Sequence, residues 1–205
     1  MVSESKQADR GVGVGEAIIV VSGLPRSGTS MTMKMLAEGG LALLTDGARA
    51  ADESNPEGYY EFEKVKQLEK AVDLSWLNQA RGKAVKIISF LLPNLPDTLD
   101  YRVLFMHRDL HEVIASQNRM LVKRGEPAGA DDDRMLTLFD DHVKKIKQLM
   151  ATRPCFDVID IKHHDVLDQP RQEATRMSEF LGGGLDVERM AAAVDQRLYR
   201  NRAAR

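Results

Sequence analysis

The sequence predicts an α/β fold in which a parallel central sheet is flanked by helices. Short apolar runs rich in Val and Ile alternate along the chain with longer segments of helical periodicity. Strands joined through helices pair in parallel, because each helix returns the chain to the edge where the previous strand began. The first apolar run passes directly into a glycine-rich segment, and parallel sheets bind ligands beyond the carboxyl ends of their strands.

The first strand is predicted over residues 17–21, a β-branched run typical of a strand buried on both faces. Helical spacing over residues 31–38 follows the glycine-rich turn and stops at Gly39 and Gly40. Residues 44–60 are rich in Asp, Asn, Pro and Gly, and we expect a long loop there. Loops of that length in compact domains are usually functional or mobile.

A second helix is predicted over residues 63–77, where apolar side chains recur at three- and four-residue spacing. The same spacing places Trp76 in the core. The second strand is expected over residues 84–88 and stops before Pro93.

The second half of the chain repeats the alternation of strand and helix. Strands are predicted over residues 102–106 and 156–161, with helices over 112–122 and 134–150 between them. Two last helices are expected over residues 172–181, which Pro170 begins, and 186–198.

The composition fits a single domain. With 205 residues, 43% of them hydrophobic, the chain can build one substantial core, and we expect a single domain over residues 17–205. Residues 1–16 are polar and glycine-rich and are expected to be a flexible N-terminal tail. The formal net charge of -2 argues against a general nucleic-acid or membrane-surface binder, which needs an excess of positive charge.

Cysteine usage and hydropathy indicate the compartment. Cys155 is the single cysteine, so no intrachain disulfide can form, and a reducing environment is expected. No apolar run approaches the roughly 20 residues that a membrane-spanning helix requires. The sequence therefore predicts a cytoplasmic protein.

The segment after the first strand has the spacing of a phosphate-binding loop. It is Gly23-Leu-Pro-Arg-Ser-Gly-Thr-Ser30, with four residues between the two glycines and a hydroxyl residue at the end. The glycines let the backbone curl so that several N–H groups face one anion, and the following helix adds its positive N-terminal end. The residues expected to bind the anion are Pro25, Arg26, Ser27, Gly28, Thr29 and Ser30.

One position departs from the loop of ATP- and GTP-hydrolysing proteins. Thr29 stands where those proteins carry lysine, and the positive charge comes three residues earlier, at Arg26. Without the lysine, transfer of a γ-phosphoryl group is poorly supported. The arginine fork suits a tetrahedral oxyanion that offers several acceptor oxygens.

A second candidate anion site follows the third strand. Arg108 leaves the carboxyl end of that strand, and Ser116 lies eight residues further on, in the next helix. In a parallel sheet both side chains can converge beside the phosphate loop and hold a second phosphate. The alternative is that Arg108 forms a surface ion pair with Asp109 or Glu112.

The two motifs together resemble the sulfotransferases that use 3′-phosphoadenosine 5′-phosphosulfate (PAPS). SGLPRSGTS, residues 22–30, is similar to their 5′-phosphosulfate loop, and VLFMHRDLHEVIAS, residues 103–116, is similar to their 3′-phosphate motif. The segment NPEGYYEFE and the tail from residue 163 also resemble the bacterial members. The resemblance covers residues 17–202 and implies a fold like that of the P-loop NTPases.

The resemblance implies specific roles. Residues 26–30 would hold the 5′-phosphosulfate, and Arg108 and Ser116 would hold the 3′-phosphate. PAPS would be the co-substrate, the acceptor a small molecule or glycan with a hydroxyl or amine, and no metal would be needed.

The catalytic base is harder to place. The cytosolic branch of the family has a histidine shortly after a strand lysine, but Lys86 is followed by Ile87, Ile88 and Ser89. Other branches use a glutamate, and among Glu53, Glu57, Glu61 and Glu63 we favour Glu61, which follows Gly58-Tyr-Tyr60. Each of the four carboxylates also fits an ordinary solvated loop residue. Lys86 is expected either to reach the reacting group or to extend into solvent.

Several neighbouring residues have weaker assignments. Tyr59 and Tyr60 are candidates to line an acceptor pocket. His163 and His164 are interpreted as surface residues rather than metal ligands, because neighbours on an extended segment point to opposite sides.

Two departures from the family keep other functions open. The C-terminal Arg-Lys-Gly motif of the cytosolic branch is absent, although the chain ends in four arginines between Arg197 and Arg205. The chain is also short for the family, so a second subunit of a homo-oligomer could complete the acceptor pocket. The alternatives are a P-loop nucleotide kinase and a relative that binds nucleotide without turnover.

Overall fold

The computed structural model describes residues 16–47, 58–70, 73–129 and 131–195. The proposed tail at residues 1–16 therefore lies outside the described residues except for Glu16. The same holds for Glu53, Glu57 and the arginines from Arg197 onward.

A four-stranded parallel sheet forms the centre of the described part of the chain. Its strands are β1 (Ile18–Gly23), β2 (Ala84–Lys86), β3 (Tyr101–His107) and β4 (Phe156–Lys162), in the order β2-β1-β3-β4. All six residues of β1 are buried, as expected for a central strand covered on both faces. The predicted fold class is confirmed.

Helices cover both faces of the sheet. The α-helices are α1 (Thr29–Glu38), α2 (Leu110–Lys123), α3 (Asp132–Thr152), α4 (His163–Asp168), α5 (Pro170–Phe180) and α6 (Val187–Ala192). Three short 3-10 helices span Glu63–Glu69, Ser75–Ala80 and Ser89–Asn94.

Alternate strand residues enter two separate cores. Ile18, Val20 and Phe105 pack with Trp76 and with the inner face of α3. The neighbouring strand positions pack instead against α1, α5 and α6. The core position predicted for Trp76 is confirmed, since its side chain is fully buried.

Register places the two predicted anion sites side by side. β1 and β3 are adjacent, and Gly23, the last residue of β1, pairs with Met106 of β3. Arg108 lies two residues after Met106 and therefore leaves the sheet beside the start of the glycine-rich loop. The fold brings together motifs that are about eighty residues apart in sequence.

Three predicted elements differ from the structure, and one observed helix was not predicted. The helix predicted over residues 63–77 is wrong, because the segment forms two 3-10 helices, the second of which begins where the Asp73 carboxylate accepts the Ser75 N–H. The second strand is shorter than predicted, with Ile87 donating one further bond to Val21. Helix α4 was not predicted, and the last helix ends at Ala192.

Candidate active site

The glycine-rich loop joins β1 to α1 in a conformation that requires glycine at positions 23 and 28. Gly23 has a φ angle of 146°, and a Cβ there would lie 2.7 Å from the Met106 carbonyl oxygen. Gly28 is the N-cap of α1, with a φ angle of 105°. Larger residues are excluded at both positions, so the backbone keeps the curl that an anion cradle needs.

The hydroxyl groups of the loop suit an anionic ligand. Ser27 is almost fully buried, and no group in the described part of the chain hydrogen-bonds its Oγ. The Ser27 Oγ faces Gly23 and therefore packs within the loop, where a Cβ on Gly23 would lie 2.5 Å from it. Thr29 and Ser30 follow in the first turn of α1, where the helix dipole favours negative charge. The loop therefore fits a phosphate or sulfate group.

Arg26 and Ser116 meet across the site. The Arg26 Nε donates a hydrogen bond of 3.0 Å to the Ser116 Oγ, although the two residues are 90 positions apart. Arg108 joins them, because its Nη1 donates to the Arg26 carbonyl oxygen at 3.1 Å. The structure thus brings Arg26, Arg108 and Ser116 into one cluster at the carboxyl edge of the sheet.

The Arg108 guanidinium is also paired with Glu112. The Arg108 Nε lies 2.9 Å from the Glu112 Oε2, and the two side chains are only 9% and 6% exposed. The pair that the sequence suggested as an alternative therefore exists, but it is buried and not on the surface. A planar guanidinium held by two separate acceptors has a fixed orientation.

Lys86 and Glu61 form a second cluster at the end of β2. The Lys86 Nζ lies 3.5 Å from the Glu61 Oε1, with the lysine 8% exposed and the glutamate 35% exposed. The same Nζ donates a hydrogen bond to the Tyr59 carbonyl oxygen and lies 5.8 Å from the Tyr59 ring centroid. Lys86 is therefore buried and does not extend into solvent.

The other residues of that segment have different surroundings. Glu63 pairs at 2.8 Å with Lys66 on the exposed side of a 3-10 helix. Tyr59 is buried, and Tyr60 is half-buried and packs against the core beneath α1. Of the two candidate glutamates in the described residues, only Glu61 contacts Lys86.

The prediction of a surface position for His163 is wrong. His163 begins α4, its side chain is 8% exposed, and it faces Gly28 of the phosphate loop. Burial, and next the charge of Arg108, lower its pKa to about 3. His164 is exposed as predicted and pairs with Asp165. Neighbouring residues of an α-helix point about 100° apart, so His163 faces the loop while His164 faces solvent.

Sequence reasoning named Glu112 as a possible surface partner of Arg108 but missed the burial of that pair, and it missed the place of His163 beside the loop. His163 directly follows β4, and the carboxyl ends of parallel strands carry binding residues. That position was the available signal for His163.

Within the described residues no group of three or more His, Cys, Asp or Glu side chains is arranged to hold a metal ion. Among the same residues no helix is long and apolar enough to cross a membrane.

A parallel sheet flanked by helices, whose first strand passes through a glycine-rich loop into α1, defines an α/β protein. The chain belongs to the sulfotransferase family, because the model of the sulfotransferase domain matches residues 16–202. Membership of this family makes the protein a transferase by class. No curated protein sequence matched the chain.

Two solved structures share the fold. The sulfotransferase domain from the Synechococcus PCC 7002 olefin synthase superimposes with a TM-score of 0.53 at 15% identity, covering 93% of this chain and 81% of that one. The sulfotransferase domain from the curacin biosynthetic pathway gives a TM-score of 0.50 at 16% identity, with coverages of 88% and 83%. At these identities the likeness shows the fold alone.

Proposed function

We propose that this protein transfers a sulfuryl group from PAPS to a hydroxyl or amine acceptor without a metal ion. The observation that carries the proposal is the convergence of Arg26, Ser116 and Arg108 beside the glycine-rich loop. Two neighbouring cationic groups suit a nucleotide that carries anionic groups at both its 5′ and its 3′ position.

The donor would be held at two points. Pro25 to Ser30 form the loop for the 5′-phosphosulfate at the N-terminus of α1, and the Arg26 side chain reaches from this loop to Ser116. Arg108 and Ser116 would bind the 3′-phosphate. This division fits Thr29 in the position of the usual P-loop lysine, since the leaving group is a bisphosphate and the transferred group is a sulfuryl.

The chemical step would be an in-line displacement at sulfur. The acceptor oxygen or nitrogen forms the new bond to sulfur while the bond from sulfur to the 5′-phosphate oxygen breaks, and the electron pair leaves with adenosine 3′,5′-bisphosphate. Glu61 takes the acceptor proton, and Lys86, 3.5 Å away, orients the carboxylate and stabilises the negative charge that develops on the leaving group. Arg26 stabilises the same charge from the loop.

A cavity of about 350 Å³ between α2 and α3 supports a small acceptor. Apolar side chains line much of it, including Ile114, Leu121 and Leu138, and its volume is in the range of small-molecule sites. Ile114, which lines the cavity, belongs to the same hydrophobic cluster as Leu24 of the loop. We assign the whole activity to one domain of residues 17–205.

Isothermal titration with adenosine 3′,5′-bisphosphate in the absence of Mg²⁺ tests the donor site. Arg108→Ala should weaken binding of the bisphosphate by about 10- to 100-fold, because a charge-assisted contact to the 3′-phosphate is lost. Binding of AMP, which lacks that phosphate, should change much less.

The matched control is Arg119→Ala, which removes an exposed arginine from the same helix and should leave both affinities unchanged. Absence of bisphosphate binding at millimolar concentration would contradict the proposal. Binding of ATP that requires Mg²⁺ would favour a nucleotide kinase instead.

A further inference from the structure

His163 lies directly behind the phosphate loop, where β4 passes into α4. A Cβ on Gly28 would lie 2.6 Å from the His163 Cδ2, so the imidazole edge fills the space that a side chain would otherwise occupy. The Met106 side chain closes the same space from β3, with its Cε 3.3 Å from that Cβ position. The ring is 8% exposed and is therefore part of the packed support of the loop.

The same ring adjoins the second anion site. His107 of β3 pairs with Lys162 of β4, so Arg108 and His163 are the next residues beyond the ends of two neighbouring strands. At this distance the charges of Arg108 and Glu112 act on the imidazole in opposite directions. Burial is the largest effect and lowers the His163 pKa to about 3. His163 is therefore neutral at physiological pH, and it packs beside the Arg108–Glu112 pair without adding a competing charge.

We propose that His163 is a positioning residue that holds the phosphate loop and the Arg108–Glu112 pair in one arrangement. Gly28 belongs to the loop proposed for the 5′ group, and Arg108 belongs to the site proposed for the 3′-phosphate. One side chain that packs against Gly28 and follows the strand next to Arg108 limits the separation of the two sites, so a nucleotide with groups at both ends meets both sites at once. The identity of the ligand in this inference rests on the proposed function, whereas the packing of His163 does not depend on it.

The geometry also explains why an imidazole suits this place. The edge of a flat ring packs against the Gly28 backbone, whereas a bulkier aliphatic side chain would displace that backbone. Truncation to alanine would leave a cavity behind the loop, into which Gly28 and the Arg108 side chain could relax. A positioning role therefore predicts local loosening at the two sites and not a uniform loss of stability.

Hydrogen exchange on the ligand-free protein tests the packing. In His163→Ala, amide exchange should be about tenfold faster over residues 24–30 and 108–112, while exchange in α5 stays unchanged. His163→Phe, which keeps a flat ring, should exchange like the native protein. The control is His164→Ala, which removes the exposed neighbouring imidazole from α4 and should alter neither region.

Exchange that is equally faster throughout the chain, or unchanged at both sites, would overturn the proposal. If His163→Ala does not fold, His163→Asn is a milder truncation and should give the same regional pattern.

Binding measurements test the consequence for the ligand. His163→Ala should weaken binding of adenosine 3′,5′-bisphosphate by about tenfold, because the two anion sites no longer hold their separation. Binding of AMP and of adenosine 3′-monophosphate, which each engage one site, should weaken by less than threefold.

Equal losses for all three nucleotides would overturn the positioning role. If the native protein binds none of them, the proposed donor fails, and the exchange experiment still decides the role of His163.

Discussion

At the scale of single residues, Arg26 and Tyr60 adopt positive φ angles of 72° and 49° although neither is glycine. Such backbone conformations cost on the order of 1 kcal/mol or more, and they persist where surrounding contacts hold them. Two hydrogen bonds stabilise this conformation at Arg26, because Arg108 donates to its carbonyl oxygen and Ser116 accepts from its side chain. Strain and contacts thus coincide at the residue that we place beside the sulfuryl group.

Replacement of the proposed base tests the chemical step separately from donor binding. Glu61→Gln should lower kcat by about 10²- to 10⁴-fold, because the amide cannot take the acceptor proton. The KM for PAPS should change little. The measurement is release of adenosine 3′,5′-bisphosphate with phenol as the acceptor, because phenol keeps its proton at neutral pH and therefore needs a base.

Glu63→Gln is the matched control, since Glu63 lies two residues away and pairs with exposed Lys66. It should keep native turnover. Equal loss of kcat in both variants, or in neither, would remove Glu61 from the role of base.

His163 should make the protein sensitive to acid. The unfolded chain binds a proton at His163 near pH 6.5, whereas in the folded protein its pKa is lowered to about 3. Its contribution to stability is therefore complete above pH 6.5 and is lost as the pH falls toward 3. Between pH 7 and pH 4.5 we expect a loss of about 3 kcal/mol from this group.

Urea unfolding of the native protein and of His163→Phe at the two pH values measures this loss. The difference between the two proteins isolates His163, because Asp160 and His142, whose pKa values are also lowered, are present in both. Parallel stability curves for the two proteins would contradict the expectation.

At the scale of elements, α2 carries much of the candidate site and depends on its N-cap. The Asp109 carboxylate accepts the Glu112 N–H at 3.1 Å. Asp109→Ala should cost about 1 kcal/mol of stability and lower Tm by a few degrees. It should also weaken bisphosphate binding, because the cap lies between Arg108 and Glu112.

Helix α3 provides the comparison for this prediction. Asp131 caps it in the same way, accepting the Arg134 N–H at 2.9 Å, but it lies farther along the chain from Arg108. Asp131→Ala should lower Tm by a similar amount and leave bisphosphate affinity unchanged. Calorimetry and titration on the two variants give both values, and equal effects on affinity would contradict the placement of α2 in the site.

The elements also show how far sequence patterns reach. The strands and the helices α1, α2, α3 and α5 follow from periodicity and from glycine or proline at their ends. The α-helix predicted over residues 63–77 is wrong because apolar residues three apart, such as Val65 and Leu68, fit the period of a 3-10 helix as well as that of an α-helix. Helix α4 has only six residues, too few for a periodic pattern to appear.

At the scale of the whole molecule, the parallel sheet explains why the sequence alone predicts that the two short motifs lie close together. Parallel strands end at one edge, so the loop after β1 and Arg108 after β3 were expected near each other. The burial of Glu112 and His163 could not be predicted, because it depends on how α2 and α4 pack around the loop. Periodicity within one segment carries no information about such long-range packing.

The expectations that concern the whole chain have different outcomes. The parallel α/β fold and the sulfotransferase family are confirmed. The donor, the acceptor class and the site residues are proposals that the geometry supports. The cytoplasmic location and the flexible tail stay predictions.

A crystal structure with bound adenosine 3′,5′-bisphosphate tests the central claim most directly. The account predicts that the 5′-phosphate lies in the loop of residues 25–30, and that the 3′-phosphate lies within about 3 Å of Arg108 and Ser116. Glu61 and Lys86 should face the outer side of the 5′-phosphate. A ligand whose 3′-phosphate points into solvent, away from Arg108, would contradict the account.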